Sequence, residues 1–252
     1  MLQWMRQIGR RTAELHLAFA TPTDDVAFAP EPISADDTAR WTEALLARAH
    51  NVFGLIESNV TKLPEATAAL AKRLLEHRSA AITHIEATRN SKYDGLKTRH
   101  HGDFHLGQIL IAKDDAYILD FEGEPRRSLD DRRRKAPPAR DVAGFIRSID
   151  YAISAAMDRQ PNLSPEDRAT LVKQIRIWGD RLTAAYWESY QATLGDAPLW
   201  PTDEGQLRQL LDLFLLEKAF YEIEYEITNR PSWVHIPLEA TLRILEQRGV
   251  IV

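Results

Sequence analysis

His101, Gly102, Asp103, Phe104, His105, Leu106, Gly107 and Gln108 run consecutively, and Asp120 to Glu124 follow as Asp-Phe-Glu-Gly-Glu. These residue types suit phosphoryl transfer, which asks little covalent chemistry of a protein. The reaction needs a carboxylate to orient and deprotonate the accepting hydroxyl. It also needs oxygen ligands that hold Mg2+ on nucleotide phosphates. Asp103 suits the first task. Gln108 and Asp120 suit the second, because carboxylate and amide oxygens are hard ligands and Mg2+ fills the rest of its shell with water and phosphate.

That chemistry requires an element that brings Gln108 back to Asp120. The stretch between them contains two short apolar runs on either side of Lys113, Asp114 and Asp115, which predicts a β-hairpin. Two strands of about five residues at ~3.3 Å per residue travel out and back. Gln108 and Asp120 then finish at the same end, with Asp103 nearby as base. Kinase catalytic loops place an Asp five residues before an amide side chain and a further Asp on the next strand, the order found here.

The rest of the pattern is helical. Leu2, Met5, Ile8, Leu15 and Phe19 predict a helix over about 2–20, followed by a Pro- and Asp-rich loop from Thr21 to Pro32. Ser34 is the expected cap of a helix through Trp41, Leu45 and Ala49. Pro64 opens a predicted long helix through Leu70, Leu74, His77 and Ile85. Arg126 to Lys135 is a charged loop, and helices resume from about Asp141. Ser164 with Pro165 marks another start, Thr202-Asp203-Glu204 a further one, and a last short helix follows Pro237. The fold class expected is mainly α with a small β-hairpin, as a single domain over 1–252.

Composition sets bounds. Forty-four per cent hydrophobic and 27% charged residues describe an ordinary globular chain. A net charge of -5 gives no reason to expect nucleic acid or an anionic membrane as partner. With no cysteine, disulfides, thiolate zinc sites and cysteine nucleophiles are excluded. The N-terminus lacks the apolar region of a signal peptide, so a cytoplasmic setting is expected.

His101-Gly-Asp-Phe-His-Leu-Gly-Gln108, Leu119-Asp-Phe-Glu-Gly-Glu-Pro125, Arg140-Asp-Val-Ala-Gly144 and Arg147-Ser148 together resemble the maltokinases. That family is related to aminoglycoside phosphotransferases and has a bilobal, protein-kinase-like fold. The resemblance covers nearly the whole chain and implies the C-terminal lobe of that fold. It implies transfer of the ATP γ-phosphoryl to maltose, giving maltose 1-phosphate, with ATP and Mg2+ as cofactors. Asp103 is then the base, and Gln108 and Asp120 the metal ligands. Glu122 and His105 are added as substrate or metal contacts, and His101, Arg140 and Asp141 as structural support. Some members are fused to trehalose synthase, which makes that domain a candidate partner.

Lys218, Tyr221, Glu222, Tyr225 and Asn229 share one face of a helix predicted over about 207–228. By the resemblance, Lys218, Tyr221 and Tyr225 bind the disaccharide; on the residues alone, the stripe is a solvated amphipathic face. Similar bland readings stand beside the others. His16 and Glu14 read as structural, Arg132 to Lys135 as a solvated loop, and Arg140-Asp141 as an ion pair or cap bracing the catalytic loop.

The chain shows no N-terminal β-lobe. None of its eleven glycines forms G-x-G, and no Gly-Lys-Ser/Thr occurs. The catalytic segment, 101–108, and the metal segment, 120–124, are therefore expected to have little or no kinase activity without a missing N-terminal lobe. The alternatives are a kinase for another small hydroxyl compound, of aminoglycoside or choline type, and a non-catalytic sugar-binding module. A metallophosphoesterase, suggested by Gly102-Asp-Phe-His105, lacks the further Asn and His ligands that two metals require.

Overall fold

The computed structural model describes residues 1–158 and 164–251. In chain order its elements are α1 (Leu2–Phe19), β1 (Glu31–Pro32), α2 (Ala35–Asn59), α3 (Glu65–Glu76), α4 (Arg78–Glu86) and β2 (Leu96–Lys97). There follow β3 (Ile109–Ala112), β4 (Asp115–Ile118), α5 (Leu129–Arg133), α6 (Ala139–Asp158), α7 (Pro165–Leu194), α8 (Glu204–Asn229) and α9 (His235–Gln247). Among the described residues no helix is long and apolar enough to cross a membrane.

Local chemistry sets many of these boundaries. Ser34 and Asp37 form a reciprocal capping box at the start of α2, satisfying two backbone donors that a helix end would leave unpaired. Ser164 accepts from the Asp167 N–H, with Pro165 in the first turn of α7. Asp203 does the same for Gln206 at α8, which begins at the expected Thr202-Asp203-Glu204 start, ahead of Leu207.

The chain divides into two compact units, residues 1–32 with 95–200 and residues 33–94 with 201–252. In the first, α1, α6 and α7 enclose a stack of aromatic rings. Phe104 lies on Phe145 at 5.3 Å between centroids, and Phe145 on Tyr186 at 4.3 Å. Tyr186 stacks in turn with Tyr190. The antiparallel hairpin pairs Ile109 with Ile118 and Ala112 with Asp115. Its two-residue turn, Lys113-Asp114, has positive φ at both positions, 50° and 58°, the backbone that matches strand twist in tight hairpins.

In the second unit α2, α8 and α9 share an apolar core. Trp41 meets Phe214 edge-on at 5.3 Å and Phe53 meets Phe220 at 5.8 Å. Leu45, Ile56, Leu238 and Leu245 are fully buried around them.

Several expected elements differ. The helix predicted from Pro64 through Ile85 is two helices, because the backbone at His77 leaves helical geometry (φ -96°, ψ 11°). The charged loop 126–135 contains α5, capped by Ser128, whose hydroxyl accepts from the Asp131 N–H. The last helix starts at His235, with Pro237 in its first turn, where a missing N–H costs nothing. The hairpin is joined by a second small β pair, Glu31–Pro32 against Leu96–Lys97.

Candidate functional site

The hairpin does what its spacing requires. Leu119 N–H donates to the Gln108 carbonyl at 3.0 Å, extending the ladder past the last strand pair. Beyond it the Gln108 Nε2 amide donates to Asp120 Oδ2 at 2.9 Å. Asp120 has φ 63°, a left-handed conformation that costs an L-residue about 1 kcal/mol or more, and Asp is among the residues that tolerate it best. Strain held at this one carboxylate is the kind of feature that clusters at functional positions.

The hairpin itself is tied to α1. Arg11 Nε and Gln7 Nε2 donate to Asp115 Oδ1 at 2.9 and 2.7 Å. The Arg11 guanidinium also pairs with the other Asp115 oxygen and with Glu14. Hydrogen bonds from Arg11, then Gln7, hold the Asp115 carboxyl well below the usual range.

Asp103 sits on the loop that α6 braces. Asp141, buried at the start of α6, accepts from the His101 N–H at 2.7 Å and the Gly102 N–H at 2.9 Å. Ser148 Oγ, two turns further along the same face of α6, accepts from the Leu106 N–H at 3.0 Å. Between them α6 closes directly onto the loop: a Cβ at Gly144 would lie 2.7 Å from the Phe104 carbonyl oxygen. These contacts tie Asp141, Gly144 and Ser148 of α6 to the backbone of the loop. Arg140 itself is half-buried on the first turn of α6.

His101 is buried. It accepts at Nδ1 from the Asp103 N–H and donates from Nε2 to the Leu119 carbonyl at 2.8 Å. One imidazole thus joins the Asp103 loop to the segment that leads from β4 to Asp120. Gly102, at φ 87°, packs so closely on Gly123 that a Cβ there would be 3.1 Å from the Gly123 Cα. The loop and the Asp120–Glu124 segment therefore lie side by side. His105 Nδ1 accepts from the Gly107 N–H, and its Nε2 stands 3.9 Å from Asp103 Oδ2. Glu122 is exposed, and its carbonyl accepts from Arg132.

Behind Asp141 runs a buried chain that the sequence reading missed. Trp200 Nε1–H donates to the Tyr190 hydroxyl at 2.9 Å, and that hydroxyl meets His16 Nδ1 at 2.8 Å. His16 Nε2 reaches Asp141 Oδ2 at 3.3 Å. With Tyr190 donating to Nδ1 and His16 Nε2 donating to Asp141, every donor in the chain finds an acceptor. Burial alone would raise the Asp141 carboxyl. The His16 hydrogen bond, the charges of His100 and His16 and the Gly102 amide outweigh it and hold it well below the usual range. The available signal was His16 itself, a polar ring on the apolar face of α1 that has to find a partner.

Arg132 to Lys135 is less solvated than expected. Lys135 Nζ pairs with Glu31 and donates to the Val26 carbonyl at 2.7 Å.

Lys218, Tyr221 and Tyr225 belong to α8 of the second unit. The two Tyr rings stack at 6.5 Å, and the Lys218 ammonium and the Arg48 guanidinium lie 5.1 and 5.2 Å from the Tyr221 centroid. Cations already over this ring favour edge and hydroxyl contacts with a ligand over face stacking. Glu222 is buried, and Arg48 also pairs with Glu224.

Among the described residues no three His, Cys, Asp or Glu side chains group as a metal cage. Gln108 and Asp120 supply two hard oxygen donors, the number Mg2+ takes from protein when phosphates and water complete its shell.

No protein-family model matches the chain. It is 26% identical over 242 residues to a glucosamine kinase of Streptacidiphilus jiangxiensis, covering 96% of this chain and 49% of that protein. It is 28% identical over 240 residues to a glucosamine kinase of Mycolicibacterium smegmatis strain ATCC 700084 / mc(2)155, covering 95% and 53%. Among solved structures it matches a glucosamine kinase in complex with glucosamine, ADP and inorganic phosphate. The TM-score is 0.71 at 25% identity, over 98% of this chain and 56% of that one. Another crystal form of a glucosamine kinase gives a TM-score of 0.72 at 25% identity, over 97% and 54%. The chain thus spans about half the length of the curated relatives it matches, and both its sequence and its fold are similar to sugar kinases named for glucosamine.

Proposed function

We propose that residues 1–252 belong to the C-terminal lobe of an ATP-dependent sugar kinase with a protein-kinase-like fold. The observation that supports this most is the Gln108–Asp120 contact across the hairpin mouth, beside an Asp103 loop held by its backbone to α6.

In this reading Asp103 orients the sugar hydroxyl and takes its proton as the γ-phosphoryl group transfers. Gln108 and Asp120 hold Mg2+, which when bound neutralises charge on the nucleotide phosphates. His105 and Glu122 contact substrate or outer ligands, while His101, Arg140 and Asp141 keep the loop in place. Lys218, Tyr221 and Tyr225 bind sugar through hydroxyl and edge contacts.

Glucosamine replaces maltose as the first acceptor to try. The similar proteins carry that name, and the cations over Tyr221 weaken the ring-stacking argument for a disaccharide. A trehalose synthase partner has no support among them.

The test is a radiolabel transfer assay with [γ-32P]ATP, Mg2+ and either glucosamine or maltose, the product identified by chromatography. The reading expects slow, Mg2+-dependent formation of glucosamine phosphate that falls about 100-fold or more in Asp103→Asn. Product formation unchanged in Asp103→Asn contradicts it. So does phosphoester hydrolysis without nucleotide.

A further inference from the structure

The second compact unit contains a cavity of about 490 Å³ that the proposed reaction does not use. It lies against the N-terminal half of α8, between Leu45 of α2, His84 and Ile85 of α4, and Arg248 after α9. At about 100° per residue, Gln209, Asp212 and Leu216 point to one side of α8, and Lys218, Tyr221 and Tyr225 to the other. The cavity is therefore separate from the stripe assigned to the acceptor.

Its lining has an unusual balance. Asp212 is buried and held by one edge of the Arg248 guanidinium, Nε donating to Oδ2 and Nη2 to Oδ1 at 2.8 Å. Arg208 and Asp203 add one further charge of each sign, so the formal charges of the wall cancel. A full charge on a ligand gains nothing net from such a wall. His84, Gln206 and Gln209 are half-buried, and among the described residues their side chains make no hydrogen bond. Burial holds His84 below its ordinary value against the pull of Asp212, so its ring offers one donor and one acceptor at neutral pH. Each glutamine amide also offers both. Leu45, Ile85, Leu213 and Leu216 supply apolar lining, the last two on the same side of α8 as Gln209.

Paired donors and acceptors interspersed with apolar side chains, with no net charge, match the alternation of hydroxyl groups and C–H faces in a sugar. The volume lies within the ~300–1,000 Å³ typical of small-molecule sites. We infer that this cavity is a second carbohydrate site, for an uncharged mono- or disaccharide, distinct from the acceptor site. It does not depend on the kinase reading.

The experiment is a titration of the 15N-labelled chain with maltose, read at the Gln206 and Gln209 side-chain amides and the His84 ring. The expected result is a saturable shift of these signals. In the double variant Gln206→Ala, Gln209→Ala the apparent Kd, read at His84, weakens about tenfold or more. Tyr221→Ala leaves the shift in place, which separates this cavity from the α8 stripe. An unfolding midpoint close to that of the parent shows that the double variant is folded. The inference is overturned if maltose leaves the three residues unmoved, if shifts appear only at Lys218, Tyr221 and Tyr225, or if the double variant binds as tightly as the parent. Phosphoryl transfer unchanged in Asp103→Asn, with intact maltose shifts here, contradicts the kinase reading alone.

Discussion

Gln108 and Asp120 meet at 2.9 Å across the mouth of the hairpin, the amide nitrogen donating to the carboxylate. This leaves the amide oxygen and the second carboxylate oxygen as neighbouring hard donors. The contact depends on the hairpin keeping register, and the register depends on its turn.

That turn is not optimised. Lys113 and Asp114 both hold positive φ, where Asn and Gly are favoured. Replacing Lys113→Asn and Asp114→Gly together relieves the left-handed cost and should stabilise the chain by about 1 kcal/mol. A urea unfolding midpoint that fails to rise would show that the turn carries no strain.

Gly144 marks where α6 touches the 101–108 loop. Gly144→Ala drives a methyl group into the Phe104 carbonyl and should destabilise the chain by about 1–3 kcal/mol. Chemical denaturation measures this. Amide exchange should also rise at Leu106 and Gly107 and not in the second unit, and uniform exchange would contradict the local account.

Tyr190 links Trp200 to His16 and so, through Asp141, to the backbone of His101 and Gly102. Tyr190→Phe removes the hydroxyl but keeps the ring stacking, leaving Trp200 and His16 each short of a partner. The expected cost is about 1–3 kcal/mol, with faster hydrogen exchange at the His101 and Gly102 amides. Unchanged exchange there would mean that Asp141 is held without the chain behind it.

Elements with a local signature were readable in the sequence. The Ser34 and Ser164 caps and the 108–120 hairpin each rest on side chains that act within a few residues. The Ser128 cap of α5 has the same signature but sits in a charged run that reads as loop. The break at His77 has no Gly or Pro to announce it. The pairing of Glu31 with Lys97 and the chain from His16 to Asp141 join residues distant in sequence, so only tertiary packing creates them. Within the site, the loop motif exposed Asp103, Gln108 and Asp120, whereas Ser148, Tyr190 and Trp200 work through contacts that spacing does not encode.

Acid should weaken the fold in two stages. Burial, then the charges of Arg140 and Arg127, push partly buried His100 down to about 4, against the opposing pull of Asp141. Between about 6.5 and 4 the unfolded chain therefore takes up a proton that the folded one refuses, and stability falls with pH across that window. Asp141, held well below the usual carboxylate range, adds a second loss below about 4, as the pH falls through its depressed value. His100→Gln should flatten the first stage and leave the second. Denaturation curves recorded from pH 7 to 4 measure it, and an unchanged slope in the variant would rule out His100 as its source.

The central claim is that Gln108 and Asp120 hold a divalent ion on nucleotide phosphates. Paramagnetic broadening by Mn2+ with ADP on the 15N-labelled chain reads this without needing turnover. The account predicts selective loss of the Gln108 side-chain amide and Asp120 backbone signals at substoichiometric Mn2+, and their recovery in Asp120→Asn. Broadening centred elsewhere, or undiminished in Asp120→Asn, would contradict it.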